Sequence, residues 1–455
     1  MESRWEETNL SALSLDVSYG YTESATVEKV GPKFLRITDI QNGIVDWNLV
    51  PYCPIDKKKH VKYKLYHGDI VVARTGNSTG ENFLFTGGED AVYASYLIRF
   101  QIDHVKADPR FVWYTMRSPD WWAYVQSSKT GSAQAGANAK VLGGYPINLP
   151  PLAEQRAIAH ILGALDDKVE LNRRMNKTLE AMAQAMFKSW FVNFDPVIDN
   201  ALTAGNEIPE ELKGKADTRD ALGDARKPLP EEIQKLFPSE FEHSEEMGWV
   251  PKGWKPRSVE DIMEVNPTVK LPKKTVAPFV DMKALPTTGY SVGGIIKKPY
   301  AGGAKFQNGD ILLARITPCL ENGKTAIADF LDGEQIGFGS TEFIVLRGKG
   351  SIKTPFAACL SRNLQFRDHC IQSMVGSSGR QRVQNACFSN FYLSLPEEQD
   401  LLDQFHLLTE GHFNQITKHS VQDRILTKLR DTLLPKLLSG EIRIPEAEKL
   451  LEGLK

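Results

Sequence analysis

Three short stretches of this 455-residue chain hold residue types that could do chemistry. Residues 321–327 (ENGKTAI) contain the Gly-Lys-Thr of a phosphate-binding loop, in which backbone N–H groups cradle phosphate and the lysine neutralises it. That nest needs a glycine five residues before Gly323; Pro318 stands there, so the stretch reads as a turn between strands. Residues 148–152 (NLPPL) approach the Asn/Asp-Pro-Pro-aromatic motif that holds a flipped base, but Leu149 intervenes and no aromatic follows. Residues 336–340 (IGFGS) offer two glycines without a following helix, which reads as a turn and not a cofactor loop. The nine histidines are dispersed, and His412 and His419, at heptad spacing, fit a helix interface better than metal ligation. Catalysis by this chain is therefore not expected, and neither a metal nor a cofactor is called for.

A different chemistry, hydrogen bonding and cationic, gathers in loops. Arg74, Thr75, Asn77 and Ser78 follow one strand written GDI, and Arg315, Thr317, Asn322 and Lys324 follow another. A second pair of loops sets Lys129, Thr130, Ser132, Gln134, Asn138 and Lys140 against Ser377, Ser378, Arg380, Gln381, Arg382 and Asn385. Residues 57–64 (KKKHVKYK) add Lys57, Lys58 and Lys59 with two more lysines and a tyrosine. Arginine bonds guanine bidentately and asparagine bonds adenine in the major groove, while lysine neutralises phosphate. Singly each is compatible with a solvated loop residue; as sets at matching positions they point to double-stranded DNA.

The matching positions come from a chain written twice. Residues 66–80 (YHGDIVVARTGNSTG) match 306–323 (FQNGDILLARITPCLENG), and 94–100 (ASYLIRF) match 340–346 (STEFIVL). Three further pairs, 5–13 with 254–262, 34–40 with 279–285 and 130–155 with 375–399, keep the same order at a spacing of about 240–250 residues, which marks a duplication. Each half reads as an α+β domain: short β-rich runs bounded by Gly, Pro, Asn and Ser, with a helix after Pro109 and its mirror after Pro355. Each is followed by a long helix. In the first, a stripe runs through Ile158, Ile161, Leu165, Val169, Met175, Leu179, Met182, Met186 and Trp190, with Lys168 and Asn172 interrupting it at positions that could fix register. The second carries Leu401, Phe405, Leu408, His412, Ile416, Leu426, Leu429, Leu433 and Leu437, with Gly411 and His419 as irregularities. Two such helices, equivalently placed, are expected to pair antiparallel as a spacer; residues 153–190 would span about 57 Å.

Composition bounds the class. With 41% hydrophobic and 25% charged residues the chain is of ordinary globular type, and it lacks both an apolar run of membrane-spanning length and a signal-peptide stretch. Five scattered cysteines without a CxxC pair favour neither zinc nor disulfides, and a cytoplasmic location is expected. The net charge of −2 conceals a division: residues 195–248 carry 14 Asp/Glu against 6 Lys/Arg, a net of −8, leaving +6 for the remainder. A mildly basic body with an acidic connector is compatible with a DNA partner.

Residues 130–155 (TGSAQAGANAKVLGGYPINLPPLAEQ), 190–197 (WFVNFDPV), 236–254 (LFPSEFEHSEEMGWVPKGW) and 433–445 (LLPKLLSGEIRIP) resemble the specificity subunit of type I restriction-modification enzymes, in this order and across essentially the whole chain. The resemblance implies two similar target-recognition domains (1–150 and 251–396) separated by a pair of long antiparallel coiled-coil helices (151–193 and 397–440) with an internal pseudo-two-fold repeat. An acidic Pro-rich linker (194–250), with only short apolar clusters, would lie on the surface partly ordered, and 441–455 would be a tail. It further implies a non-catalytic subunit that reads a bipartite, asymmetric DNA target. Its partners would be modification (adenine methyltransferase) and restriction (ATP-dependent translocase-nuclease) subunits. From the residues alone, a tandem-repeat protein adaptor is the alternative, and a salt-dependent DNA shift distinguishes the two. The second helix follows LPEEQ, two residues shorter than LPPLAEQ, which leaves its pairing register open.

If the helices set the distance between half-sites, four residues inserted near Met175, a rise of roughly 6 Å, lengthen the unread spacer by almost two base pairs. Methylome sequencing of cells carrying a tolerated insertion is expected to show both half-sites unchanged; an altered half-site with a fixed spacer would contradict the role of the helices as ruler.

Overall fold

Strand-forming runs bounded by Gly, Asn and Asp produce the same sheets twice. The structure is a computed structural model describing residues 5–128, 137–223, 228–377 and 379–452, and the chain divides into two units, Met1–Val169 with Ile425–Lys455 and Glu170–Arg424. In the first unit four antiparallel strands lie in the order Ser14–Tyr19, Leu97–Ile102, Asp69–Ala73, Asn82–Leu84. The second unit repeats it with Met263–Val265, Phe343–Gly348, Ile311–Ala314 and Thr325–Ile327. Even the register recurs: Ile70 faces Phe100 as Ile311 faces Leu346. Beside each sheet lies a smaller one built on a parallel pair, Lys33–Leu35 with Ala91–Tyr93 and Val276–Val280 with Gly337–Gly339. A third pairing joins each domain's beginning to its end, Glu6–Asn9 with Pro146–Leu149 and Trp254–Ser258 with Tyr392–Pro396.

Two local expectations need correction. The IGFGS stretch is a strand and not a turn. Its glycines answer to crowding, because a Cβ on Gly337 would lie 2.3 Å from the Phe306 ring and one on Gly339 2.4 Å from that of Phe343. The helices after Pro109 and Pro355 are each broken in two. Ser118 caps a fresh start at Pro119–Ser127 by accepting from Trp121 N, and Asn363 does the same for Leu364–Gln372 through Phe366 N. A capping side chain restarts a helix more readily than it continues one, and in the first copy Pro119 at the first helical position adds to the break.

The long helices run Leu152–Lys188 and Asp400–Leu438, and each enters both units. In the first unit Ile158, Ile161 and Leu165 cluster with Leu426, Leu433 and Leu437, and Arg430 donates to Asp166 at 2.6 Å. In the second, Ala183, Phe187 and Trp190 cluster with Phe405, Phe413 and Ile416. There too the fully buried Asn172 donates to Gln422 at 2.8 Å and Asp423 at 2.7 Å, and His419 Nδ1 lies 2.7 Å from Asn176 Oδ1. Partner numbers fall as the first helix climbs, so the segments are antiparallel. The seam departs from the expected stripe. Asn172 is buried in the seam as its place in the stripe implied, but Met175 and Met182 are 43% and 51% exposed while Asn176 and Ala183 hold buried positions, and Phe413 is buried where Leu408 is not. Where the seam is polar or small, picking the apolar residue of each turn selects its neighbour.

Residues 194–250 are more folded than a surface linker. Asp195–Ala204 and Glu210–Asp220 are helices, and Phe194, Val197, Ile198, Ala201, Phe237 and Val250 are buried. The few apolar residues fall at helical spacing, and the Phe237 ring meets that of Trp190 edge-on at 5.2 Å. The tail likewise forms a helix, Ile444–Glu452, with Ala447 buried. Among the described residues, no helix is long and apolar enough to cross a membrane.

Asp69 opens the strand that leads into the first loop of interest. It is 2% exposed, accepts from Tyr66 N at 2.9 Å and lies 3.8 Å from Arg99. Burial, only partly offset by that N–H and by Arg99, pushes its carboxyl up to about 6. A raised folded value means the native state holds the proton more tightly than the unfolded chain. Its contribution is therefore complete below about pH 4 and lost as pH rises through about 6. Asp69→Asn is expected to flatten the stability-pH curve across that window by roughly 2–3 kcal/mol, read from urea midpoints; an unchanged slope would refute the assignment.

Candidate nucleic-acid interface

Ala73 and Ala314 end equivalent strands, and the next residue in each copy is the arginine singled out from the sequence. Arg74 N donates to Tyr96 O at 3.1 Å, and Arg74 O accepts from Ala137 N at 3.0 Å. Arg315 N donates to Glu342 O at 3.0 Å, and Arg315 O accepts from Val383 N at 2.9 Å. One backbone pattern thus brings both expected loops together in each unit: 74–78 beside 137–140, and 315–324 beside 377–385. The second pair is stitched further, with Thr317 N donating to Gln381 O and Gln381 N to Thr317 Oγ1, both at 3.1 Å.

On this shared brace the side chains divide by what they touch. Asn138 caps the helix Ala139–Gly143, its Oδ1 accepting from Val141 N at 2.9 Å. Thr317 is buried and ties the loops together, and Lys324 donates to Met282 O at 2.9 Å. Arg315 donates through Nη2 to Val383 O at 3.2 Å, and Arg74 through Nε to Ser95 O at 3.1 Å. Arg382 forks onto Glu342, with Nη2 at 2.7 Å and Nε at 2.9 Å. That hydrogen bond, followed by the charges of Arg382 and Arg315, holds the Glu342 carboxyl below its usual range. These groups shape the loops from within. Asn77, Lys140, Asn322, Ser377, Arg380 and Asn385 are exposed, with Thr75, Ser78 and Gln381 half-buried between them.

Lys57, Lys58 and Lys59 do not join the loop pair. They begin the helix Lys57–Tyr63, exposed, beside the small parallel strands, where Lys64 bridges to Val92. Acids temper this helix: Asp56 pairs with Lys59 at 3.3 Å, and Asp90 with Lys64 and His60, each at 3.0 Å. Lys129, Thr130, Ser132, Gln134 and Ser378 lie outside the described residues. Two tyrosines at the first loop escaped notice in the sequence. Tyr19 sits under the Arg74 guanidinium at 5.1 Å and its hydroxyl accepts from Ala139 N at 3.1 Å, while Tyr96 is 57% exposed beside the same arginine. Their only signal was position, at a strand end and just before a strand, which singles out no residue type. Among the described residues no cluster of His, Cys, Asp and Glu could hold a metal ion.

The model of the type I restriction modification DNA specificity domain matches residues 22–181 and 251–417. The chain is similar to the HindI specificity subunit of Haemophilus influenzae, a type I restriction enzyme subunit, at 24% identity over 484 residues, covering 97% of this chain and 100% of the relative. It is also similar to the MjaIX specificity subunit of Methanocaldococcus jannaschii, at 23% over 396 residues, covering 83% and 76%. Among solved structures, the S subunit of a type I restriction-modification system from M. genitalium aligns with a TM-score of 0.51 over 96% of this chain and 97% of the other. At 14% identity that likeness speaks for the fold.

The brace between the loops is open to a direct stability test. Thr317→Val keeps the branched shape and leaves the Gln381 N–H without its acceptor. A loss of about 1–3 kcal/mol is expected in chemical denaturation at unchanged slope, and an unaltered midpoint would show that the hydroxyl does not hold the loops.

Proposed function

The chain belongs to the family of type I restriction-modification specificity subunits, and on that footing we propose that it reads a bipartite, asymmetric DNA target, one half-site for each recognition domain. The observation that carries this reading is the repeated brace: the same backbone hydrogen bonds around Arg74 and Arg315 present loops of unlike chemistry. A duplicated frame with different exposed groups suits two different half-sites. Asn77, Ser78, Thr75 and Lys140, with Arg74 over Tyr19, would meet the first. Asn322, Ser377, Gln381, Arg380 and Asn385 would meet the second, and Lys57–Lys59 would lie on phosphate. Arg315 and Arg382, each held by a neighbouring loop or strand, act in this reading chiefly by positioning.

The subunit itself neither methylates nor cuts. It supplies the address, and adenine methyltransferase and translocase-nuclease subunits assembled on it supply the reactions. Helices continuous through both units are a ready means of linking two recognition events to one assembly.

Reading by base edges has a specific signature. Asn77→Ala and Arg380→Ala alter exposed groups and leave the brace intact. Each is expected to weaken target binding by about 1–3 kcal/mol and to relax specificity in one half-site only, a different one for each substitution. Methylome sequencing of cells carrying each variant with its partner subunits reads this out. Methyl transfer by the purified chain alone, or relaxation of both half-sites by either change, would overturn the proposal.

A further inference from the structure

Charge is distributed along this chain less evenly than the loops indicate. Between residues 270 and 305 stand seven lysines (Lys270, Lys273, Lys274, Lys283, Lys297, Lys298, Lys305) and a single acid, Asp281. The excess of +6 in one stretch is notable in a chain whose net charge is −2.

The fold gathers most of these lysines on the small sheet of the second unit. Ile296–Pro299 is an edge strand against Val276–Val280, which places Lys298 opposite Ala277 and Lys297 opposite Pro278. The ladder continues outward: Lys274 N donates to Tyr300 O and Tyr300 N to Thr275 O, both at 2.8 Å. At the other edge, Lys305 pairs with Phe338. Phe279, Phe338 and Tyr300 form an aromatic row with successive centroids 5.1 Å apart. The Lys298 ammonium lies 3.2 Å from the Phe279 centroid, and that of Lys305 lies 6.0 Å from Tyr300. Aromatic faces thereby position two cations, while Lys270, Lys273, Lys274 and Lys297 are exposed.

Two contrasts give this patch its meaning. Acids pair with the lysine-rich helix of the first unit, through Asp56 and Asp90. No ion pair among the described residues engages Lys270, Lys273, Lys274, Lys297, Lys298 or Lys305. The patch also adjoins the second loop pair, because Lys324 of that loop donates to Met282 O just past the end of the central strand. The central strand, Val276–Val280, covers roughly 17 Å at ~3.4 Å per residue, a length that passes several phosphates of a duplex.

We propose that this lysine-lined sheet is the second domain's phosphate-binding surface, which grips the duplex flanking its half-site and contributes affinity without sequence preference. The inference rests on the DNA-reading function proposed above and adds a site and a role to it. Since the equivalent cations of the first domain are partly neutralised, the second domain carries the larger share of the salt-sensitive affinity.

The test uses the full-length chain, a random-sequence duplex several turns long and fluorescence anisotropy over a salt series. Lys298→Gln with Lys305→Gln keeps the side-chain stems on the aromatic row and removes two charges. The slope of log affinity against log salt is expected to fall by about 1.8, at about 0.9 per phosphate contact, equally on unrelated duplexes. Lys298→Arg with Lys305→Arg should retain the wild-type slope, and the methylated sequence in cells should not change. A slope unaffected by the Gln pair, while the wild type keeps its own, overturns this inference and leaves the recognition function standing. So does a change in the methylated sequence, which would mean base reading, or a loss of partner subunits on co-purification at unchanged slope, which would mean a protein-docking surface. Absence of salt-dependent duplex binding by the wild type would overturn the recognition function itself.

Discussion

Each recognition domain is closed by pairing its first strand with its last, and the rest of the architecture depends on that closure. Glu6–Asn9 holds Pro146–Leu149, and the first long helix begins at Leu152; Trp254–Ser258 holds Tyr392–Pro396, and the second begins at Asp400. Antiparallel pairing brings a domain's entry and exit together, so everything between them is a module mounted on the start of a helix. Loops inside such a module can vary in length and chemistry while the point of attachment stays fixed. That is the physical basis on which one frame can occur twice with unlike loops.

Within the module, polar side chains divide into those that hold the fold and those that face solvent. Polar groups that look equivalent in the sequence separate once their partners are known. Thr317, Lys324, Asn138 and Arg382 spend their hydrogen bonds on the protein, whereas Asn77, Asn322 and Arg380 face solvent. A loop that must present a defined pattern of donors needs this internal bracing, because an unbraced loop would have to be ordered at the moment of binding.

The sequence made the duplication, the α+β character and the long helices legible because each rests on periodicity or on repetition, and both survive without coordinates. It also led to loops that the fold brings side by side, through their place after the GDI strands. It could not sort the residues within them: whether an arginine faces solvent or braces the fold depends on an acid such as Glu342, forty positions away in the chain. Asn172 was legible as a polar break in the stripe, but the seam was misplaced at Met175 and Met182 because buried Asn176 and Ala183 carry little hydrophobic signal. The acidic connector concealed helices because composition averages over Val197, Ile198 and Ala201, whose spacing matters more than their number. Lysines scattered over 36 positions were overlooked since only a sheet, not a run, unites them.

The first unit is made of the chain's beginning and its end. Ile158, Ile161 and Leu165 bury themselves against Leu426, Leu433 and Leu437, which are synthesised more than 250 residues later. At translation rates of ~5–20 residues per second, those apolar faces wait roughly 10–50 s for their partners, while the second unit, Glu170–Arg424, is contiguous and can complete its core without them. Birth order and completion order are thereby reversed. During that interval the nascent chain displays a half-made helix interface, a natural substrate for holding chaperones and a point at which premature termination would leave a sticky, unfinished domain.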